Sequence, residues 1–360
     1  MQQEVGGRRI GFGGLRLWVL LLFAGYAAFY WFSNRSTDAL TGEKVVIDKS
    51  ISPEDEKALG LQAYQEVLAQ EPPLPKDSEV SRQVSEITQR LVAKIPEVED
   101  ALAAEHQMQA PHVERGFEWD VNVIPSDEVN AFCLPGGKIA VYTGLVPVAQ
   151  NADAMAVVIG HEISHALLRH GAQRMTEQKL EQMGQVAGAM GGLSQGQLQT
   201  VLAVYGYGHQ LPYARKQESQ ADELGLMLAA AACFDPHEAI PLWERMDSSA
   251  GGNAPPEFAS DHPSSGARIR DLQSLMPKAE QYRQRFCEAA GVVSATSVAR
   301  MPCLMPMCRP HSAMPANSAT KPCALASTAS AAASTSMPSA SSRWRGMRSD
   351  SFPTGYAVSV

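Results

Sequence analysis

His161-Glu162-Ile163-Ser164-His165 sets two imidazoles one helical turn apart with a carboxylate between them. On a helix, residues i and i+4 share a face, so both rings reach one cation while Glu162 points at its remaining, water-occupied position. The segment therefore has to be helical and firmly held. Zinc suits these donors: it lowers the pKa of a bound water to about 7, and Glu162 is then the general base that collects the proton and passes it to a leaving amine. A chance match is the competing reading, and the flanking residues weigh against it. Asn151 to His170 carries Met155, Val158, Ile159, Ile163, Ala166 and Leu167 at helical spacing, and Gly171 follows as a stop. With Ala154, Val157 and Gly160 also small or apolar, the helix reads as buried.

A catalytic zinc of this kind needs a third protein ligand, and Glu218 is the candidate. Arg215 to Leu226 reads as a second helix on which Glu218 and Asp222 are again i and i+4. Glu218 can then ligate while Asp222 accepts a proton from the far nitrogen of a ligating histidine and fixes its tautomer. A charged, solvated helix face would be the reading without the first motif. Asp261-His262-Pro263 with Arg268 is a weaker third element, open to a purely structural turn.

Together these segments resemble the HtpX-like and CAAX-prenyl-protease-like zinc metallopeptidases, metallopeptidase family forty-eight among the gluzincins. Asn130-Ala131-Phe132-Cys133-Leu134-Pro135-Gly136-Gly137 looks like that family's N-A-F-x-x-P-G-G segment, Glu218 to Asp222 like its E-x-x-x-D motif, and His262-Pro263 with Arg268 like its H-P-x-x-x-x-R element. The resemblance spans about Ser52 to Glu288. It implies one zinc ion on His161, His165 and Glu218, with Glu162 as base and Asp222 behind the ligands. His262 or Arg268 would donate to the tetrahedral oxyanion, or His262 on a loop would occupy the open zinc position and lock the enzyme. It further implies an endopeptidase that removes misfolded or misassembled membrane and envelope proteins. A membrane-anchored binding protein with a structural or dead zinc site, and a prenyl-protein protease, are the alternatives. A structural zinc prefers four protein ligands and has no use for Glu162.

Phe117 to Val123 alternates like a strand, and Lys138 to Tyr142 reads as the next, expected to pair with it antiparallel after the Gly136-Gly137 turn. The edge near Asn130 to Ile139 is then where an unfolded or extended polypeptide can add itself as a strand. Further helices are expected at Pro53–Ala69, Ser78–Lys94, Pro236–Met246 (interrupted by Pro241) and Ser265–Met276. The Val186 to Tyr207 stretch is expected to pack on the zinc helix or to flap over the cleft. Helices with a small antiparallel sheet make an α+β domain over residues 37–290.

Residues 17–32 form an unbroken apolar run behind Arg8, Arg9 and Arg16, which reads as a single membrane anchor with the body on the non-cytoplasmic, periplasmic side. A cleaved signal peptide is the rival reading of residues 1–36. From residue 291 the chain turns to Ser, Ala, Met and Pro and reads as disordered. That tail carries a net charge of +5, leaving −13 on the rest to reach the total of −8. It reads equally as a basic segment that meets anionic surfaces or as the product of a shifted reading frame. The acidic body and the lack of a Gly-rich phosphate loop argue against nucleic acid as a partner. No repeat array follows the domain, so any adaptor would be a separate, unknown protein. Cys133 and Cys233 are the interior cysteines, and an oxidising compartment would permit their pairing.

Overall fold

The computed structural model describes residues 17–249 and 266–288. Eleven helices are described: α1 (Leu17–Asn34), α2 (Pro53–Gln70), α3 (Glu79–Val92), α4 (Ile95–Glu105), α5 (Val146–Ala149), α6 (Ala152–Leu167), α7 (His170–Gly191), α8 (Gln195–Tyr205), α9 (Leu211–Ala231), α10 (Ala239–Ser249) and α11 (Gly266–Arg283). A short ladder of β1 (Arg35–Thr37) on β2 (Lys44–Val46) follows α1, and a three-stranded sheet is built from β3 (Asp120–Ile124), β4 (Ala131–Leu134) and β5 (Lys138–Tyr142). The domain is α+β and mainly helical, with one apolar helix near its N-terminus.

Local chemistry sets most helix starts. Ser52 caps α2 in a reciprocal capping box with Asp55, and the Asn151 side chain accepts from Ala154 N–H to open α6. The end of α6 departs from expectation. Leu167 is its last residue, Arg169 turns the chain at φ 54°, and Gly171 lies inside α7 rather than serving as a stop. The Arg169 guanidinium, bound to the buried Glu56 carboxylate and to Ile51 C=O, holds that left-handed turn in place of a glycine. Helix α4, whose first turn contains Pro96, was not foreseen. Pro241 does not interrupt α10, because it falls in the first turn, where a missing N–H costs nothing.

The sheet order is β3-β5-β4, and β3 pairs with β5 in parallel, not antiparallel as expected. The reason is β4. Ala131–Leu134 forms a strand of its own that reverses direction and pairs antiparallel with β5 through the turn at Gly136 and Gly137, both at φ above 80°. With β4 running down, β3 and β5 both run up.

Helix α6 lies at the centre. From Ala154 to Leu167 every residue is buried, packed between α9, α3 and β4. Gly160 and Gly225 let α6 and α9 touch through their backbones: a Cβ on Gly225 would stand 2.7 Å from His161 N. Cys233 pairs with Cys287 across a Cα–Cα distance of 5.4 Å, tying the end of α9 to the chain beyond α11. The pairing of Cys133 with Cys233 is thereby corrected, since Cys133 is a buried free thiol on β4.

Candidate active site

The close approach of α6 and α9 sets Glu218 against the two histidines. His161, Glu162, His165 and Glu218 are all buried, none more than 8 % exposed. The two Nε2 atoms lie 3.0 Å apart, Glu218 Oε2 lies 3.4 Å from His161 Nε2, and Glu218 Oε1 lies 3.5 Å from His165 Nε2. A tetrahedral cation with bonds of about 2.0–2.1 Å separates its donors by roughly 3.3–3.4 Å. The triangle of 3.0, 3.4 and 3.5 Å is close to that size, and its two imidazoles and carboxylate are donors that zinc favours, so these residues fit the group.

The outer nitrogens explain why the lone pairs face inward. Asp222 Oδ1 lies 3.0 Å from His161 Nδ1, which donates to it and leaves Nε2 as the nitrogen that faces a cation. His165 is oriented by a partner that sequence reasoning missed. Its Nδ1 is 2.8 Å from His170 Nδ1, and His170 Nε2 is 3.3 Å from Gln220 Oε1. Gln220 can only accept from Nε2–H, so His170 Nδ1 accepts from His165 and again frees Nε2. Burial holds His170 down at about 3, so its ring is neutral. His170 is five residues past His165, across the α6–α7 turn, and no helical spacing links the two.

Arg268 is placed differently from the expected oxyanion donor. Its Nε and Nη2 each lie 2.7 Å from an Asp222 oxygen, Nη1 lies 3.5 Å from Glu218 Oε2, and the guanidinium sits 3.5 Å over the Trp243 ring. The forked clamp fixes Asp222, and through it His161. Burial would raise the Asp222 carboxyl, but Arg268 and His161 hold it low. Burial would depress His161, but the Asp222 and Glu218 carboxylates outweigh it and lift the ring to about 9. The cluster thus favours positive charge at its centre. Asp261, His262 and Pro263 lie outside the described residues.

Glu162 sits beside β4: its charge, after burial, is the second cause pushing the Cys133 thiol up. β4 packs along α6 and has no strand on its outer side among the described residues.

A buried His-Glu-His triangle with an adjacent carboxylate, on two helices of an α+β domain, defines the metallopeptidase class. Comparison with known proteins gives the same result. The profile of peptidase family M48 matches residues 90–276. The mitochondrial metalloendopeptidase OMA1 of Schizosaccharomyces pombe is 33% identical over 272 residues, 74% of each chain. Its Saccharomyces cerevisiae counterpart is 30% identical over 301 residues, 77% of this chain and 79% of that one. The β-barrel assembly-enhancing protease of Escherichia coli is 28% identical over 179 residues, 47% of this chain and 36% of its own. The chain belongs to peptidase family M48 and is a metalloendopeptidase.

Proposed function

We propose that this protein is a membrane-anchored, zinc-dependent endopeptidase that cuts misfolded or misassembled membrane and envelope proteins. The observation that carries the reading is the donor triangle of 3.0–3.5 Å edges, with every outward-facing imidazole nitrogen already engaged. His161, His165 and Glu218 hold the metal in this reading, and zinc, when bound, polarises a peptide carbonyl and acidifies water. Glu162 takes the proton of the attacking water and delivers it to the leaving nitrogen. Asp222 keeps His161 in its ligating tautomer. His262, six residues before the Arg268 clamp on Asp222, is assigned the oxyanion or locking role.

Substrate enters as an added strand on β4, whose free edge runs beside Glu162. Main-chain pairing reads no sequence, which suits a chain that has lost its fold. Residues 1–36 serve as the anchor, 37–290 as the catalytic domain and 291–360 as a tail. The domain faces the non-cytoplasmic side, supported by three arginines ahead of α1 and by the Cys233–Cys287 disulfide, which belongs in an oxidising compartment. The relatives named as mitochondrial and the Escherichia coli relative leave periplasm as the reading for a bacterial source.

The test is bound zinc and casein cleavage by the full chain in detergent, beside Glu162→Gln and with a chelator. One zinc per chain, with cleavage abolished by chelation and by Glu162→Gln, supports the reading. Cleavage retained by Glu162→Gln removes Glu162 as base.

A further inference from the structure

Between His165 and Glu218 the chain runs out into an antiparallel hairpin, α7 and α8, before returning. From Gln182 to Ala214 it contains no Asp, Glu, Lys or Arg, in a sequence that is 19% charged. This tract exposes Val186, Met190, Val201, Val204, Tyr207 and Leu211, each 46–78 % accessible. A soluble helix pair would put charge on that face.

The hairpin also has a definite position beside α1. Lys179 Nζ stands 5.4 Å over the Tyr30 ring near the base, while at the tip a Cβ on Gly191 would lie 2.6 Å from Leu20 Cδ2. Ten residues of α1 separate Tyr30 from Leu20, about 15 Å. Helix α1 exposes its own apolar side chains over the same length, among them Leu21, Leu22, Tyr26 and Phe29. A crevice of about 390 Å³ lies between the two, lined by Ala27, Leu180, Leu198 and Val201, with Glu177 and Glu181 also in its wall. Charged groups return only at the base, where Glu177 binds Tyr205 and His209, and Glu181 binds Gln210, while the uncharged polar side chains of Ser194, Gln195, Gln197, Gln199 and Thr200 stand exposed at the tip.

We infer that the α7–α8 hairpin is inserted in the lipid bilayer, its tip level with Leu20 of α1, entering from the face on which the catalytic domain lies. The inference rests on α1 being the membrane anchor. Leu20 lies twelve residues from the Phe32 end of the apolar run, so the hairpin would follow the anchor for about 18 Å. The tip meets the requirement that lipid imposes on backbone polar groups. Leu193 N–H donates to Gly188 C=O at 2.9 Å and Gly192 N–H to Ala189 C=O at 3.2 Å. Ser194 caps α8 in a capping box with Gln197, and Thr200 Oγ1 donates to Gly196 C=O. Only three residues, Gly192, Leu193 and Ser194, separate the two helices. The hairpin then acts as a second hold on the membrane and aims the cleft. α7 begins at His170, behind His165, and α8 continues through the π-helical turn Gly206–Gln210 into α9, which carries Glu218.

The test uses the full chain in phosphatidylcholine vesicles, with Cys303, Cys308 and Cys323 changed to Ser. A single NBD label is placed at Val204→Cys, Met190→Cys, Phe29→Cys on α1, or Gln89→Cys on the exposed face of α3. Vesicles carrying acyl-chain doxyl groups should quench the labels at 204 and 190 within twofold of that at 29, and leave 89 unchanged. Quenching at 29 but not at 190 or 204 overturns the inference and leaves the anchor standing. Absence of quenching at 29 removes the anchor and the inference together. Labels at 190 and 204 that lipid does not quench but that are shielded from aqueous iodide would mean that a protein, a second copy or another chain, covers this face, and would equally overturn it. Each labelled protein must keep the thermal midpoint of the unlabelled one in detergent, so that misfolding cannot pass for either outcome.

Discussion

Arg268→Ala separates a positioning clamp from an oxyanion donor. In the metal-free protein the change strips the counter-charge from two buried carboxylates, Asp222 at 7 % and Glu218 at 7 % exposure, and lifts the guanidinium off Trp243. Removing one member of a buried, hydrogen-bonded charge set costs about 3–5 kcal/mol. For a domain of this size each kcal/mol moves the midpoint by roughly 2–4 °C, so calorimetry of the chelated protein should show a fall of about 6–20 °C. Zinc replaces part of the lost positive charge, so the loaded protein should fall less. Arg268→Lys keeps the charge but cannot make the fork to both Asp222 oxygens, and belongs between the two. A side chain that served only the oxyanion would behave in the opposite way: unchanged midpoint, with kcat down about a hundredfold. A metal-free Arg268→Ala whose midpoint stays within 1 °C of wild type refutes the clamp.

Gly225→Ala forces a Cβ to 2.7 Å from His161 N and must push α9 from α6, so zinc affinity measured by chelator competition should fall at least tenfold while far-ultraviolet circular dichroism stays unchanged. Cys287→Ser opens a loop of 54 residues, worth about 4 kcal/mol by loop-closure entropy; a midpoint equal to that of the oxidised wild type would show that the bridge does not form. Glu99, buried on α4 and next to Glu114, is pushed up to about 8 first by its burial and then by that neighbour. The folded protein therefore holds a proton that the unfolded chain has already lost above pH 4.5, and stability should decline as pH rises from about 5 to about 8, a decline that Glu99→Gln should flatten.

Much of the site was legible because its chemistry is periodic. His161 and His165, and again Glu218 and Asp222, are i and i+4, and a single helical face is enough to predict that each pair converges. Alternation over Phe117 to Val123 pointed to a strand that forms at Asp120–Ile124, and Lys138 to Tyr142 was read as the next. What failed depends on the third dimension. Nothing local distinguishes β4 from a loop, and without β4 the direction of β3 relative to β5 is undetermined. His170 reaches His165 around a turn held by Arg169 and Glu56, residues 113 apart in sequence. Arg268 was singled out from its motif, and the structure sets it on Asp222; its partner was assigned from chemistry alone, and a guanidinium suits an oxyanion and a carboxylate equally.

The insertion between the two ligand-bearing helices gives the site a further constraint. Glu218 lies only thirteen residues beyond the end of α8, on a helix that continues from the hairpin through a π turn. Extra backbone in such a turn is a common place for a helix to re-aim its side chains without breaking. If the hairpin is fixed in lipid, the axis of α9 is fixed relative to the bilayer, and α6 is held to α9 by the Gly160–Gly225 contact. The metal triangle, the base and the edge of β4 then keep one height above the membrane. Polypeptide emerging from the bilayer would reach that edge in extended form, whereas a folded domain would have to unfold before one of its segments could lie along β4.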